Sequence, residues 1–145
     1  MRQSPLDHQI AVSEEVPIET IVHSPTNGVY APTADYAHAI EVRESSRFLF
    51  VAGTMGLDPQ GVAGKSLDEQ LDLVWNNLRA ILAAANMTVD NIVRATSYLR
   101  DASSADANGA ARVAALDGRV IPTTAIVAET LVDDWLVEIE VIAAE

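Results

Sequence analysis

The chain of 145 residues has a length typical of a single domain with one hydrophobic core. It contains no cysteine, which excludes disulfides, thiolate catalysis and zinc sites built on sulfur. The formal net charge of -12, with only nine Lys and Arg residues, argues against a nucleic-acid partner, because phosphate recognition needs clustered cations. His8, His23 and His38 are too widely spaced to predict a metal site.

The N-terminal segment "MRQSPLDHQI" lacks the continuous apolar core of a signal peptide. Nowhere does the sequence approach the roughly 18 uninterrupted apolar residues of a membrane span. These features predict a soluble cytoplasmic protein with no membrane partner. The charges and proline of "SEEVPIET" further predict that residues 1–15 form a loosely ordered extension, followed by one domain over residues 16–145.

The first predicted elements are two strands and a helix. "AHAIEVR" and "RFLFVAG", separated by "ESS", predict a hairpin of Ala37–Arg43 and Arg47–Gly53. Ser66 and Glu69 then fit a capping box at the start of a helix that ends near Asn86. Its apolar residues recur every three or four positions and form one stripe: Leu67, Leu71, Val74, Leu78, Ile81 and Ala85.

The second half of the chain predicts three strands and a second helix. "IVRATSYLRD" alternates in the manner of a core strand, and "SSADANGAARVAALDG" predicts a helix with Ser103 or Ser104 as N-cap and Gly118 as its stop. "TTAIVAETL" and "WLVEIEVIA" read as an antiparallel pair of final strands. The order strand, strand, helix, strand, helix, strand, strand predicts an α+β sandwich, a sheet with two helices on one face.

The other face of such a sheet must meet water or another subunit. "RFLFVAG" is apolar on both sides, which favours oligomerisation through the helix-free face. Glu138 and Glu140 share one face of the last strand, whereas the residues between them are apolar. From alternation alone this acidic face is either a solvated surface or the lining of a pocket or subunit interface.

Three blocks of sequence resemble the Rid family, also called YjgF or reactive-intermediate deaminase family. They are "DYAHAIEVRESSRFLFVAGTMGLDPQG", "EQLDLVWNNLRAILAAANMTVDNIVRATSYLRD" and "VEIEVIA", and the likeness covers roughly Tyr36 to Ala143. The resemblance implies a chorismate-mutase-like homotrimer with a mixed sheet and three pockets at the subunit clefts. It also implies hydrolysis of reactive enamines and imines to a keto acid and ammonia, without metal or cofactor.

The same resemblance implies a set of site residues. The family glutamate falls on Glu138, the tyrosine on Tyr36 and the glycine on Gly53. The family arginine does not carry over, because "IPTTAIV" places Thr123 there on an ungapped count and Thr124 when Pro122 is aligned. A threonine hydroxyl cannot replace the paired hydrogen bonds of a guanidinium to a substrate carboxylate.

Several roles and functions follow as expectations. Thr123 and Thr124 are candidate donors to a polar ligand, and Arg112 is a candidate replacement cation, although a surface arginine is the simpler interpretation. Glu138 would hold the attacking water, whereas Glu140 would serve an interface or the structure. The residues leave open whether the protein is a cofactor-free deaminase or a non-catalytic trimer that binds a small ligand. Ribonuclease activity, attributed to some relatives, is disfavoured by the acidity of the chain.

Overall fold

The structure is a computed structural model that describes residues 19–145. Six strands and two α-helices follow one another along this part of the chain, with short 3-10 turns before β4 and before α2. Their bounds are β1 Glu19–His23, β2 Ala39–Arg43, β3 Phe48–Met55, α1 Leu67–Ala84, β4 Ile92–Leu99, α2 Ala105–Ala115, β5 Thr123–Val127 and β6 Val137–Ala144.

The main sheet has four strands in the order β3-β6-β4-β5, and β1 and β2 form a separate antiparallel pair. β6 lies in the interior of the main sheet and is antiparallel to both β3 and β4. β5 runs parallel to β4, so the sheet is mixed, as predicted. Both helices pack on this sheet, and the predicted arrangement of two helices on a mixed sheet is confirmed.

The core lies between the helices and one face of the sheet. Along β6 every second residue from Val137 to Ala143 is buried, which is the pattern of a strand with one covered face. The apolar stripe of α1 meets this face through Leu71, Val74, Leu78 and Leu82. Burial of each such side chain stabilises the fold by about 1.5–3 kcal/mol. The same alternation places Glu138 and Glu140 on the face that the helices leave uncovered.

The predicted hairpin of Ala37–Arg43 and Arg47–Gly53 is wrong. β2 pairs with β1, and β3 pairs with β6 instead of with β2. The connection "ESS" explains the difference. Glu44 adopts a left-handed φ of 55°, and the amides of Ser46 and Arg47 donate to the Glu145 carbonyl at 2.7 and 3.0 Å. These bonds anchor the start of β3 to the end of β6.

The predicted antiparallel pairing of the last two strands is also wrong. β5 ends at Val127, and the chain then crosses β4 before it enters β6 at Val137. Thr130 organises this crossing, because its hydroxyl contacts the carbonyl oxygens of Val132 and Trp135 at 3.0 and 2.7 Å. Arg100 at the end of β4 donates to the Thr130 carbonyl at 3.0 Å. A nine-residue connection held in this way, from 128 to 136, reaches past a strand, which a hairpin turn could not do.

The positions of both helices are confirmed, with two corrections: Ile81 of the predicted stripe is 41% exposed while Leu82 is buried, and the Glu69 carboxylate accepts from the Lys65 amide and not from Ser66, so only half of the capping box forms. The Ser66 hydroxyl accepts from the Glu69 amide at 3.2 Å, and α1 ends two residues before the predicted Asn86. Ser104 is the N-cap of α2, and Gly118 follows that helix with a left-handed φ of 76°. β1 was not predicted. The proposed extension over residues 1–15 lies outside the described residues, and within residues 19–145 no helix is long and apolar enough to cross a membrane.

Candidate functional site

The helix-free face of the main sheet carries most of the side chains that could act on a ligand. Residues opposite one another in the register share a face, so the pairings define rows across the sheet. One row runs Ile126, Tyr98, Glu138 and Met55. The next row runs Thr124, Thr96 and Glu140, and a third joins Arg94, Ile142 and Phe50.

Glu138 lies directly over Gly53. A β-carbon built on Gly53 would stand 2.9 Å from the Cδ of Glu138 and closer still to its Oε1. The register of β3 and β6 shifts between Val51 and Thr54, and this irregularity brings Gly53 under the carboxylate. Within residues 19–145 no hydrogen bond engages the Glu138 carboxylate, and its residue is partly exposed. Two residues predicted from the sequence are therefore brought together, with the carboxylate available to a ligand or water.

Glu140 has different surroundings. Its Oε1 accepts a hydrogen bond of 2.6 Å from the Tyr98 hydroxyl. This bond to a carboxylate raises the pKa of Tyr98, with burial and the charges of Glu140 and Glu138 acting in the same direction. The two acids thus differ as expected, and Tyr98 is the partner that sequence reasoning missed.

Thr123 and Thr124 point to opposite sides of the sheet. Thr123 lies opposite the buried Ala95, and Thr124 lies opposite Thr96 on the helix-free face. The Thr124 hydroxyl accepts a hydrogen bond of 3.2 Å from the guanidinium of Arg94 on the neighbouring strand. Of the two threonines, Thr124 therefore shares a face with Glu138, and it does so together with a cation that sequence reasoning did not select.

Arg112 is buried, so its simpler interpretation as a surface arginine is wrong. Its side chain is 8% exposed and donates to the Asp35 carboxylate at 2.7 Å and to the Asp35 carbonyl at 3.2 Å. Tyr36 follows Asp35, and its ring meets the His38 ring edge-on with centroids 5.9 Å apart. The guanidinium of Arg112 thus fixes the segment that carries Tyr36, and its charge is already used within the chain.

Two cavities touch this face. One, of about 190 Å³, lies between β3, β6 and β4 and is lined by Phe50, Val51, Arg94, Thr96, Glu140, Val141 and Ile142. The other, of about 640 Å³, follows the edge of β3 toward α1 and includes Gly53 and Asn77. The Asn77 amide donates to the carbonyls of Met55 and Leu57 at 3.1 and 2.9 Å. Gln70 similarly bonds the backbone of Gly64, Asp134 and Leu136, so both side-chain amides satisfy backbone groups.

Tyr98 and Arg94 could have been selected from the sequence by one signal. In "IVRATSYLRD" they occupy alternate positions with Thr96, on the face opposite the buried Ala95, Ser97 and Leu99. Alternation predicts this face correctly. It does not predict which neighbouring strands lie beside β4, and those neighbours decide what each side chain contacts.

Comparison with known proteins identifies the same family over most of the chain. The family profile described as Endoribonuclease L-PSP matches residues 27–145. A RutC family protein from Synechocystis sp. is 33% identical over 117 residues, which cover 78% of this chain and 88% of that protein. A RutC family protein from Aquifex aeolicus is 35% identical over 71 residues, or 48% of this chain and 54% of that protein. In that and several similar matches the chain spans little more than half the length of the relative.

Solved structures agree with the fold. A protein of unknown function of the conserved Rid family, YyfB from Yersinia pestis, superposes with a TM-score of 0.75 and 27% identity, covering 87% of this chain and 98% of its own. RidA from the Antarctic bacterium Psychrobacter sp. superposes with a TM-score of 0.65 at 24% identity, covering 83% and 97% of the two chains. The family profile, the curated relatives and the shared architecture together show that the chain belongs to the Rid, or YjgF, family.

Proposed function

We propose that the protein is a cytoplasmic, cofactor-free deaminase that hydrolyses a small reactive imine or enamine with a water held on Glu138. The observation that carries this proposal is the position of the Glu138 carboxylate. It stands over Gly53 on the helix-free face, and no side chain of residues 19–145 occupies it by hydrogen bonding. Glu140, by contrast, accepts the Tyr98 hydroxyl at 2.6 Å.

The chemistry requires one acid-base group. Water adds to the carbon of C=N while the Glu138 carboxylate accepts one of its protons, and the resulting carbinolamine takes that proton on nitrogen. The Glu138 carboxylate then takes the hydroxyl proton of the carbinolamine and passes it to the amino nitrogen as C=O forms, so that ammonia leaves and the carboxylate returns to its starting state. A positioned general base contributes about 10²–10⁴-fold to such a step. The backbone at Gly53 lets a small ligand approach closely, because no side chain stands there.

The site is proposed to be completed by trimer formation. The helix-free face exposes Phe48, Phe50 and Ile126 by 55%, 74% and 48%, which is unusual for large apolar side chains on a surface that meets only water. Packing of three such faces would remove this area from water and enclose the acidic rows. Tyr36, whose ring is partly exposed, is proposed to contact the ligand in the resulting cleft.

The substrate is proposed to differ from the usual α-imino acid of the family. Thr123 and Thr124 occupy the two candidate positions of the family arginine, and Arg112 is held by Asp35. Loss of a charge-assisted hydrogen bond weakens binding by about 1.5–3 kcal/mol, or at least about tenfold. The same substitutions favour the second candidate function, a non-catalytic trimer that binds a small ligand in this cleft.

Ammonia release from imines generated in situ by an amino-acid oxidase tests the proposal. We expect wild type to accelerate release over buffer and Glu138→Ala to lose that acceleration. Thr124→Arg is a useful companion, because position 124 shares a face with Glu138, and a gain of activity on ordinary α-imino acids would show a site that is intact but altered in specificity. If wild type accelerated hydrolysis of imines neither with nor without a carboxylate, the result would favour the non-catalytic trimer that binds a small ligand.

A further inference from the structure

The cavity of about 190 Å³ on the helix-free face contains an unpaired cation and an acid that is already hydrogen-bonded. Arg94 and Glu140 both line it, yet within residues 19–145 no carboxylate oxygen lies within 4.0 Å of the Arg94 guanidinium. Phe50, Val51, Val141 and Ile142 supply apolar lining, and Thr96 completes it. A cation beside apolar walls, without a counter-ion, is a site suited to an anion that brings an apolar body with it.

One hydroxyl group contacts the Arg94 guanidinium, and a second lines the cavity. Its NH2 donates to the Thr124 hydroxyl at 3.2 Å, which leaves the hydroxyl proton of Thr124 free to donate to a third group. Thr96 lies beside Thr124 in the register and lines the same cavity. Arg94 can therefore offer its remaining N–H groups, and the threonines their O–H groups, to the oxygens of one anion.

The anion site stands well away from Glu138. Thr124 lies on β5, two strands from β6, so the lateral separation is about 10 Å at a strand spacing of about 4.8 Å. The Thr124 row is also two residues from the Glu138 row, or about 7 Å along the strands. A carboxylate attached directly to an imine carbon could not reach both groups. An anionic group several bonds from that carbon could.

We propose that Arg94, with Thr124 and Thr96, is the specificity-determining subsite for a remote carboxylate on the substrate. This inference rests on the proposed function for the reacting end of the ligand only, because the subsite binds anions whether or not turnover occurs. Glu140 repels the anion from its own end of the cavity and accepts N–H donors there. The favoured substrate is thus an imine whose carboxylate is separated from C=N by several bonds.

Binding is tested first, without turnover, by amide NMR titration of the full chain with isobutyrate and its neutral isostere isobutyramide. Isobutyrate is expected to shift the amides around Arg94, Thr124 and Glu140, whereas isobutyramide is not. Arg94→Met should weaken isobutyrate at least about tenfold, and Glu140→Gln should tighten it. The matched control is Arg79→Met, an exposed arginine on α1 that bonds Asn76 at 3.3 Å and should leave binding unchanged.

The second test measures hydrolysis of two imines, formed by oxidation of glutamate and of glutamine. The glutamate-derived imine carries a remote carboxylate, and the glutamine-derived imine carries a carboxamide in its place. Wild type should prefer the glutamate-derived imine, and Arg94→Met should remove that preference while Arg94→Lys retains part of it. Equal binding of the acid and the amide, or an effect of Arg94→Met no larger than that of Arg79→Met, would overturn the proposal. If Arg94→Met were monomeric and kept the preference for the glutamate-derived imine, Arg94 would be an interface residue. That result would also overturn the proposal.

The two proposals can fail separately. Isobutyrate binding at Arg94 in a protein that accelerates no imine hydrolysis would leave the subsite in place and reject the deaminase. Hydrolysis that depends on Glu138 but ignores Arg94 and the remote carboxylate would retain the deaminase and reject the subsite. Circular dichroism of each variant confirms that loss of binding does not reflect loss of the fold.

Discussion

The Glu138 side chain occupies the space that a side chain on Gly53 would need, with Cδ 2.9 Å from the position of the missing β-carbon. Gly53→Ala must therefore displace the carboxylate, and the displaced atoms belong to the flexible end of a side chain. We expect the variant to fold but to hydrolyse imines about 10²-fold more slowly, since misplacement of a reacting group by about 1 Å has effects of that size. Ammonia release and thermal unfolding measure the two properties.

Gly109→Ala is the matched control for that substitution. Gly109 lies within α2, and a β-carbon there would meet no atom within 4 Å. Alanine should stabilise the helix by about 0.5–1 kcal/mol and leave hydrolysis unchanged. Equal loss of activity in both variants would show that the Gly53 effect does not come from Glu138.

Tyr98 provides a prediction about pH. The hydrogen bond to Glu140 raises the pKa of Tyr98 above its ordinary value of 10.0, so the neutral phenol is favoured in the folded state. A raised pKa contributes stability that is complete below 10.0 and disappears as the pH rises through the folded value. Ultraviolet titration should therefore detect a phenol that ionises late, among the three tyrosines of the chain. Tyr98→Phe and Glu140→Gln should each remove that late transition, and Tyr30→Phe should preserve it.

The ion pair of Asp35 and Arg112 gives the opposite dependence. The Thr33 hydroxyl is the largest cause that lowers the pKa of Asp35 below 3.8; burial opposes it, and the Asp35 amide and the Arg112 guanidinium lower the pKa further. A lowered pKa contributes stability that is present above 3.8 and is lost as the pH falls through the folded value. Unfolding of Asp35→Asn should consequently show less loss of stability below about pH 4 than wild type. An identical acid limb in both proteins would contradict this assignment.

Assembly is predicted to depend on the exposed aromatic residues of β3. Phe50→Asp places a charge on β3, at the edge of the main sheet, and should convert the proposed trimer to a monomer, because burial of an unpaired charge is unfavourable. Light scattering at micromolar concentration measures the change. Val62→Asp is the control, since Val62 is 60% exposed in the loop before α1, and it should leave the mass unchanged. A wild-type monomer would reject the intersubunit cleft.

Local patterns in the sequence predict where the helices and strands lie better than they predict which strands pair with one another. The stripe of α1, its Ser66 cap and the alternation of β6 were visible because each depends on residues close together in the chain. The same local signal wrongly predicts a hairpin of β2 and β3. The pairing of β3 with β6 depends instead on bonds from Ser46 and Arg47 to Glu145, about a hundred residues away, which no local pattern records.

Some residues of the candidate site can likewise be predicted from the sequence, and others cannot. Alternation placed Glu138 and Glu140 on one face, and the family resemblance selected Glu138 and Gly53, which the structure brings into contact. Tyr98 and Arg94 were overlooked because their importance comes from neighbours on β6 and β5. Knowledge of the strand order was needed before either could be connected to the acids.

The hydrolytic role of Glu138 is tested most directly by isosteric amides at the two acids. Ammonia release from one imine without a remote carboxylate, which leaves the cavity lined by Glu140 unoccupied, should be compared among wild type, Glu138→Gln and Glu140→Gln at equal concentration. The expected result is a loss of about 10²–10⁴-fold for Glu138→Gln, which can no longer accept the proton of water, and a rate near that of wild type for Glu140→Gln. Equal rates for wild type and Glu138→Gln would contradict the proposed mechanism.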